Sequence, residues 1–324
     1  MNVANEWRSA RVKSIRDLSA DIRLIEIEMS GPFAPAAPGS HIDIAVEIAG
    51  RPSTRSYSLL GPGRDGVHEV AVKLASDSRG GSAYMWTLKP GAVLKTTAPA
   101  NHFDLNLDCN EYILIAGGIG VTPIHAMARA LAAQGKDFRI LYGARKRSDL
   151  VLAEDLRALA GERLQISCAE DGQRVDIAAA IASLGKEGEL YICGPIGMLD
   201  EARAHWSRSG RPPANLRFET FGNSGRYPNA PFTVLLPHIG RTIEVAKTQS
   251  MLEALEAAGI EAMYDCRRGE CGLCALDVIA VDGVIDHRDV FFNEEEKAEG
   301  HKLCACVSRI AGTSITVDTG ERPA

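Results

Sequence analysis

Along the first hundred residues, apolar positions alternate with polar ones in short runs, DIRLIEIEM, HIDIAVEI and HEVAVKLA, separated by glycine and proline. A period of two with turn residues between runs predicts strands, and their close succession predicts an antiparallel β-barrel rather than helices. From Tyr112 the pattern changes. The continuous apolar run YILIAG leads through a glycine turn into PIHAMARALAAQG, whose apolar positions recur at helical spacing, and then into FRILYGA. That order predicts a βαβ unit. The strand-like LQISCAE and GELYICG, with helix-like LVLAEDLRALA and IGMLDEARAHWS, extend it to a doubly wound α/β domain. RFETFGNSGRYPNAPF has no period and reads as a linker. Beyond it, FTVLLP, RTIEVA, the helix-like SMLEALEAAG, a cysteine-bearing loop and SITVDT predict a small β-grasp domain. The expected boundaries are 1–103 for the barrel, 104–222 for the α/β domain, 223–231 for the linker and 232–324 for the last domain. Three domains suit a chain of 324 residues.

No apolar run is long enough to cross a bilayer, and the opening MNVANEWRSARVKSIRD lacks the apolar stretch of a secretory signal. The expectation is a cytoplasmic protein without membrane association. In that reducing compartment the eight cysteines are expected as thiols, and five of them crowd between Cys266 and Cys306, which points to metal or redox chemistry. The formal net charge of −6 comes from the C-terminal third, where residues 232–324 hold 9 Lys and Arg against 16 Asp and Glu. No nucleic-acid partner is expected, and the acidic third is either a solvated face or one that docks on a basic protein surface.

Cys266, Cys271 and Cys274 stand in YDCRRGECGLCALDV with C-x4-C-x2-C spacing, followed later by LCACVSR. Thiolates are the soft ligands an iron-sulfur cluster requires, and Gly269 and Gly272 let the loop curl so that backbone amides face the sulfurs. Structural zinc favours paired knuckles, whereas here three cysteines share one loop with a single distant fourth. Spacing leaves that fourth open between Cys304 and Cys306. Gly117-Gly118-Ile119-Gly120-Val121-Thr122-Pro123 follows a strand and opens a helix, as a pyrophosphate-binding turn does, although it is not the G-x-G-x-x-G fingerprint. Cys193-Gly194-Pro195 ends another strand and would share the carboxyl edge of the same sheet. In the barrel, Arg55, Ser56, Tyr57 and Ser58 offer a cation, a flat ring and hydroxyls, and Arg79, Gly80, Gly81 and Ser82 look like a phosphate cradle.

In this order, RSYSL, RGGS, GGIGVTP, LYGAR, YICGP, the cysteine loop, DHRD and CVSR resemble the phthalate dioxygenase reductase family over essentially the whole chain. The resemblance implies a ferredoxin-reductase-type flavin barrel, a nicotinamide domain and a C-terminal plant-type [2Fe-2S] ferredoxin domain. It implies FMN rather than FAD, with Arg55, Tyr57 and Ser58 at the isoalloxazine or ribityl chain, and Val72 and Lys73 nearby. Arg79, Gly80, Gly81 and Ser82 would lie at the phosphate and Phe221 near the flavin face. It places Gly118, Thr122, Cys193, Gly194 and Pro195 at the nicotinamide, with NADH favoured although Arg145 and Arg147 could hold a 2′-phosphate. It makes Cys306, rather than Cys304, the ligand beside Cys266, Cys271 and Cys274. The implied function is that of a monomeric reductase component carrying electrons from NADH through FMN and the cluster to a terminal Rieske-type oxygenase, a demethylase or dioxygenase. The alternatives are a stand-alone reductase with another acceptor and a non-enzymatic metal-binding protein. A nicotinamide gives two electrons together, the cluster takes one and a flavin handles both, so no acid–base pair is expected; His102, His125, His205 and His238 are expected in core or surface roles rather than catalytic ones.

Overall fold

The alternating runs of the N-terminal hundred residues become strands β1 (Arg8–Asp17), β2 (Ile22–Met29), β3 (Ser40–Ile48), β4 (Arg51–Ser58) and β5 (Val67–Lys73). After the short helix α1 (Gly81–Thr87) come β6 (Val93–Thr96) and β7 (Ala100–Asn101). The structure is a computed structural model and describes residues 7–48, 50–75, 80–221 and 225–320. The barrel sheet runs β4-β3-β6-β1-β2-β5 with β7 on β3, and a bridge from Leu59 to Val70 joins its two ends. Ile25, Ile27, Ile42, Ile44, Val70, Val72 and Met85 fill it.

The apolar run from Tyr112 forms β8 (Glu111–Gly117), buried along both faces as a central parallel strand must be. It is followed by α2 (Val121–Ala133), β9 (Asp137–Ala144), α3 (Ala153–Ala160), β10 (Leu164–Cys168), α4 (Ile177–Ser183), β11 (Glu189–Cys193), α5 (Ile196–Arg208) and β12 (Leu216–Glu219). The parallel sheet runs β10-β9-β8-β11-β12, with β8 central and its neighbours added on either side.

Barrel and parallel sheet fall in one compact unit that ends at Glu219. Within it, Lys73 Nζ lies 2.7 Å from Asp149 Oδ1, and His125 Nδ1 lies 2.9 Å from the Leu60 carbonyl oxygen. At Gly39 a Cβ would fall 1.8 Å from the Phe103 carbonyl oxygen, so only glycine permits that approach.

The second unit opens at Thr220. Its strands are β13 (Phe232–Leu236), β14 (Arg241–Val245), β15 (Ala275–Asp286), β16 (Lys302–Cys304) and β17 (Arg309–Asp318), in the order β14-β13-β17-β15-β16. The β13–β17 pair is parallel and the rest antiparallel, which is the β-grasp arrangement. Helix α6 (Met251–Ala257) carries a capping box between Ser250 and Glu253, and α7 (Glu294–Glu299) carries one between Asn293 and Glu296. No helix among the described residues is long and apolar enough to cross a membrane.

The stretch read as a linker is structured at both ends. Leu216–Glu219 is β12, and the segment from Arg226 is fastened to the second unit. The Arg226 amide donates to Asp286, Arg288 reaches Asn229 Oδ1 at 2.8 Å and the Tyr227 carbonyl at 3.2 Å, and Arg309 reaches the Ala230 carbonyl at 2.8 Å. Composition rich in Gly, Asn and Pro signals a lack of period, not a lack of partners. Arg288 and Asp286 are themselves a buried ion pair, with Nε and a terminal nitrogen both donating to Asp286 Oδ2 at 2.8 and 2.6 Å. An Arg288→Met variant leaves that buried carboxylate with the Arg226 amide but without its countercharge, and is expected to lower the stability of the second unit by about 3–5 kcal/mol, read from its denaturant unfolding curve.

Candidate cofactor sites

Arg55 and Tyr57 sit on β4, paired with Ile44 and Ile42 of β3. The Arg55 guanidinium donates to Ser53 Oγ and the Thr54 carbonyl, each at 2.7 Å, and its stem crosses Gly81, where a Cβ would fall 2.7 Å from Arg55 Cγ. At Gly80, φ is 97° and a Cβ would meet Ile48 Cγ2 at 2.5 Å. The RSYS and GGS segments therefore meet, and only glycine fits at the junction. Ser82 Oγ accepts from the Ala75 amide at 3.2 Å. Arg79 lies outside the described residues. Burial pushes the Tyr57 phenol above its ordinary value despite the neighbouring Arg55, so it remains a neutral flat ring. Ser56 is exposed and donates to Asp43 at 2.5 Å, Val72 is part of the core, and Lys73 is engaged by Asp149 and, at 3.5 Å, by Asp21.

The parallel sheet brings its glycine turns together at its carboxyl edge. Cys193, the last residue of β11, is in register with Ala116 of β8, so the two turns that follow lie side by side. A Cβ on Gly120 would fall 2.2 Å from the Cys193 carbonyl oxygen, and one on Gly117 would fall 2.6 Å from Pro195 Cδ. Gly118 has φ 53° with open space beside it, and Thr122 Oγ donates to the Ile119 carbonyl at 3.1 Å, tying the turn to the helix. Gly194 lies against the backbone of Gly117, and the Cys193 thiol is buried, which excludes it as a surface nucleophile. On the other side of β11, Glu219 stands in register with Cys193. Its carboxylate is 1% exposed and accepts from Ser58 Oγ at 3.2 Å. Ser58, Glu219 and Cys193 thus link the barrel's RSYS strand to the carboxyl edge of the sheet.

In the second unit the cysteine loop turns through left-handed residues at Arg267 (φ 52°), Gly269 (φ 75°) and Gly272 (φ 74°). A Cβ at Gly269 would meet Val307 Cγ2 at 2.5 Å and one at Gly272 would meet the Phe291 ring at 2.3 Å. This curl aims the amides of Arg268, Glu270 and Cys271 at Cys266 Sγ, each at 3.4 Å. Burial pushes the Cys266 thiol up, while those three amides pull the other way. Cys274 hydrogen-bonds with Cys304 and Cys306, which hold its thiol well below the usual range. The Gly269 amide reaches Cys306. Cys271 thus stands with Cys266, and Cys274 stands with both Cys304 and Cys306. Among the described residues no three His, Cys, Asp or Glu side chains surround a single-ion position. Soft thiolates gathered around one glycine-rich loop are the ligand type a [2Fe-2S] cluster uses. Three amides aimed at one sulfur, in a loop whose close approaches at Gly269 and Gly272 leave no room for a Cβ, fit a [2Fe-2S] cluster.

Family models match all three regions: "Oxidoreductase FAD-binding domain" at residues 9–105, "Oxidoreductase NAD-binding domain" at 114–204 and "2Fe-2S iron-sulfur cluster binding domain" at 236–311. The phenoxybenzoate dioxygenase subunit beta of Ectopseudomonas oleovorans is 34% identical over 316 residues, 96% of this chain and 97% of that one. The solved phthalate dioxygenase reductase matches with a TM-score of 0.76 at 28% identity, over 96% of this chain and 98% of that chain. The chain belongs to the phthalate dioxygenase reductase family. As a member of that family it is an NAD-dependent oxidoreductase with flavin, nicotinamide and [2Fe-2S] domains. A structure of an intact type IV self-sufficient cytochrome P450 monooxygenase is 35% identical with a TM-score of 0.65, over 96% of this chain and 41% of that chain.

Against that family frame, sequence reasoning missed Glu219 and Glu270. Glu219 is a single acid at a strand end, concealed in the aperiodic FETFG. Glu270 accepts from the Thr220 amide at 3.1 Å and pairs with Arg268 at 3.2 Å, and burial pushes its carboxyl up. Phe221 is half-buried and belongs to the second unit. Past β9, Arg147 pairs through Nε and a terminal nitrogen with Asp171 at 3.1 and 2.9 Å.

Proposed function

We propose that this protein is the reductase component of an oxygenase system, passing electrons from NADH through FMN to a [2Fe-2S] cluster and on to a terminal Rieske-type oxygenase. The observation that carries this is the Ser58–Glu219–Cys193 row, which joins the flavin strand to the nicotinamide edge in a chain that also holds the cysteine loop. When bound, the flavin accepts two electrons together from the nicotinamide and the cluster passes them singly. Tyr57 offers its ring and Ser58 its hydroxyl to the flavin, and Arg55, Gly80, Gly81 and Ser82 cradle a terminal phosphate, a role the sequence also suggests for Arg79. That compact cradle supports FMN, although the matching family model is described as FAD-binding. Gly118, Thr122, Cys193, Gly194 and Pro195 receive the nicotinamide nucleotide. Engagement of Arg147 by Asp171 supports NADH over a 2′-phosphorylated cofactor.

Cys266, Cys271, Cys274 and Cys306 hold the cluster, and the Gly269 amide directed at Cys306 supports that residue as the fourth ligand. The domain boundaries near 103 and 222, a monomeric state and a cytoplasmic location complete the reading. A second reading, a haem protein as acceptor, is favoured by the match to a self-sufficient cytochrome P450.

The test is an absorption spectrum before and after anaerobic NADH, with the released flavin identified by chromatography. Bleaching of both flavin and cluster bands with release of FMN is expected. Release of FAD would overturn the FMN assignment, and a flavin that NADH does not reduce would overturn the function.

A further inference from the structure

Cys304 is left over once four thiols are given to the cluster, yet it lies against one of them. It ends β16 opposite Ala275, the residue that follows Cys274, and the Ala305 amide donates to the Cys274 carbonyl at 3.0 Å. These bonds bring the turn at Cys274 against the end of β16, and both cysteines lie in the same buried apolar cluster. Cys304 is fully buried in the apolar core with Leu276, Leu303 and Ile310, away from water, and its thiol hydrogen-bonds with the Cys274 sulfur. A thiol is a weak donor. In dry surroundings a ligand sulfur bearing negative charge is a favourable acceptor for it, and the low dielectric strengthens the bond.

Hydrogen bonds to the sulfurs are among the factors that set iron-sulfur potentials, because a donor favours the more negative, reduced state. We propose that Cys304 is not a ligand but a positioning donor to the Cys274 ligand, raising the reduction potential of the cluster. The inference rests on the functional reading above, in which Cys266, Cys271, Cys274 and Cys306 are the ligands.

Full-length Cys304→Ala and Cys304→Ser variants test it, by potentiometric titration followed by EPR beside the wild-type protein. Both variants are expected to keep the wild-type cluster absorbance and EPR signal. The alanine variant has a lower potential, and the serine variant, whose hydroxyl donates in place of the thiol, returns to the wild-type value or above it. A tenfold change in the reduction equilibrium reads as 59 mV for a one-electron couple. An alanine variant with unchanged potential overturns the inference. So does loss of the cluster in Cys304→Ala with retention in Cys306→Ala, which would make Cys304 the ligand. A wild-type protein without a cluster overturns the functional reading and this inference with it.

Discussion

A Cys271→Ser variant is expected to keep NADH-dependent bleaching of its flavin while electron delivery to an external one-electron acceptor falls roughly a hundredfold or more, the loss that follows when a route is removed rather than tuned. Cys271 does two things in the loop. Its thiol stands beside that of Cys266, and its amide is one of the three directed at the Cys266 sulfur. Serine keeps the amide and the backbone turn, so the loop can still form, but a hydroxyl is a poor substitute for a soft thiolate ligand. The barrel and parallel sheet lie in the other unit, with none of their residues altered. Stopped-flow reduction by NADH and turnover with cytochrome c measure the two halves separately. Undiminished turnover in the variant would mean that electrons leave without the cluster.

The second large effect is expected at Gly120. An alanine Cβ there would fall 2.2 Å from the Cys193 carbonyl oxygen and 2.6 Å from its carbonyl carbon, backbone atoms that cannot rotate away. The GGIG and CGP turns have to part, at a cost of about 1–3 kcal/mol or more from overpacking. NADH affinity is expected to fall about tenfold or further, since 1.4 kcal/mol is a factor of ten. Gly118→Ala is the informative control. Gly118 has φ 53° but nothing near its absent Cβ, so it carries only left-handed strain of about 1–2 kcal/mol and no clash. Flavin bleaching titrated with NADH, together with thermal unfolding of each variant, ranks the two. Equal losses would point to strain in the turn, not to the contact with Cys193.

The legible parts of this chain were those in which chemistry and period coincide locally. Alternation in IRLIEIEM marked β2, the unbroken apolar run marked β8, and the helix-like SMLEALEAAG marked α6. The cysteine loop was legible because its thiols and glycines lie within one short segment. What stayed hidden depends on distant partners or on broken periods. Glu219 gains its place only through Ser58, 161 positions away in the chain. Lys73, expected near the flavin, is tied to Asp149, 76 positions further along the chain. Strand β15 escaped notice because register shifts between Val278 and Ala280 and between Asp282 and Gly283 interrupt its alternation. The arginines of DHRD and CVSR act through backbone carbonyls far along the chain: Arg288 on Tyr227, and Arg309 on Gln249, Ala230 and Ala246.

Those arginine clasps also define where the ferredoxin part can be cut out and grafted. A cassette begun at Phe232, where the first β-grasp strand starts, would discard the Tyr227 and Ala230 carbonyls and the Asn229 side chain that Arg288 and Arg309 hold. Two guanidinium groups would then lose acceptors in a largely dry interior. A splice placed ahead of Arg226 carries these acceptors along, so the transferable module is longer at its leading end than its strands alone suggest.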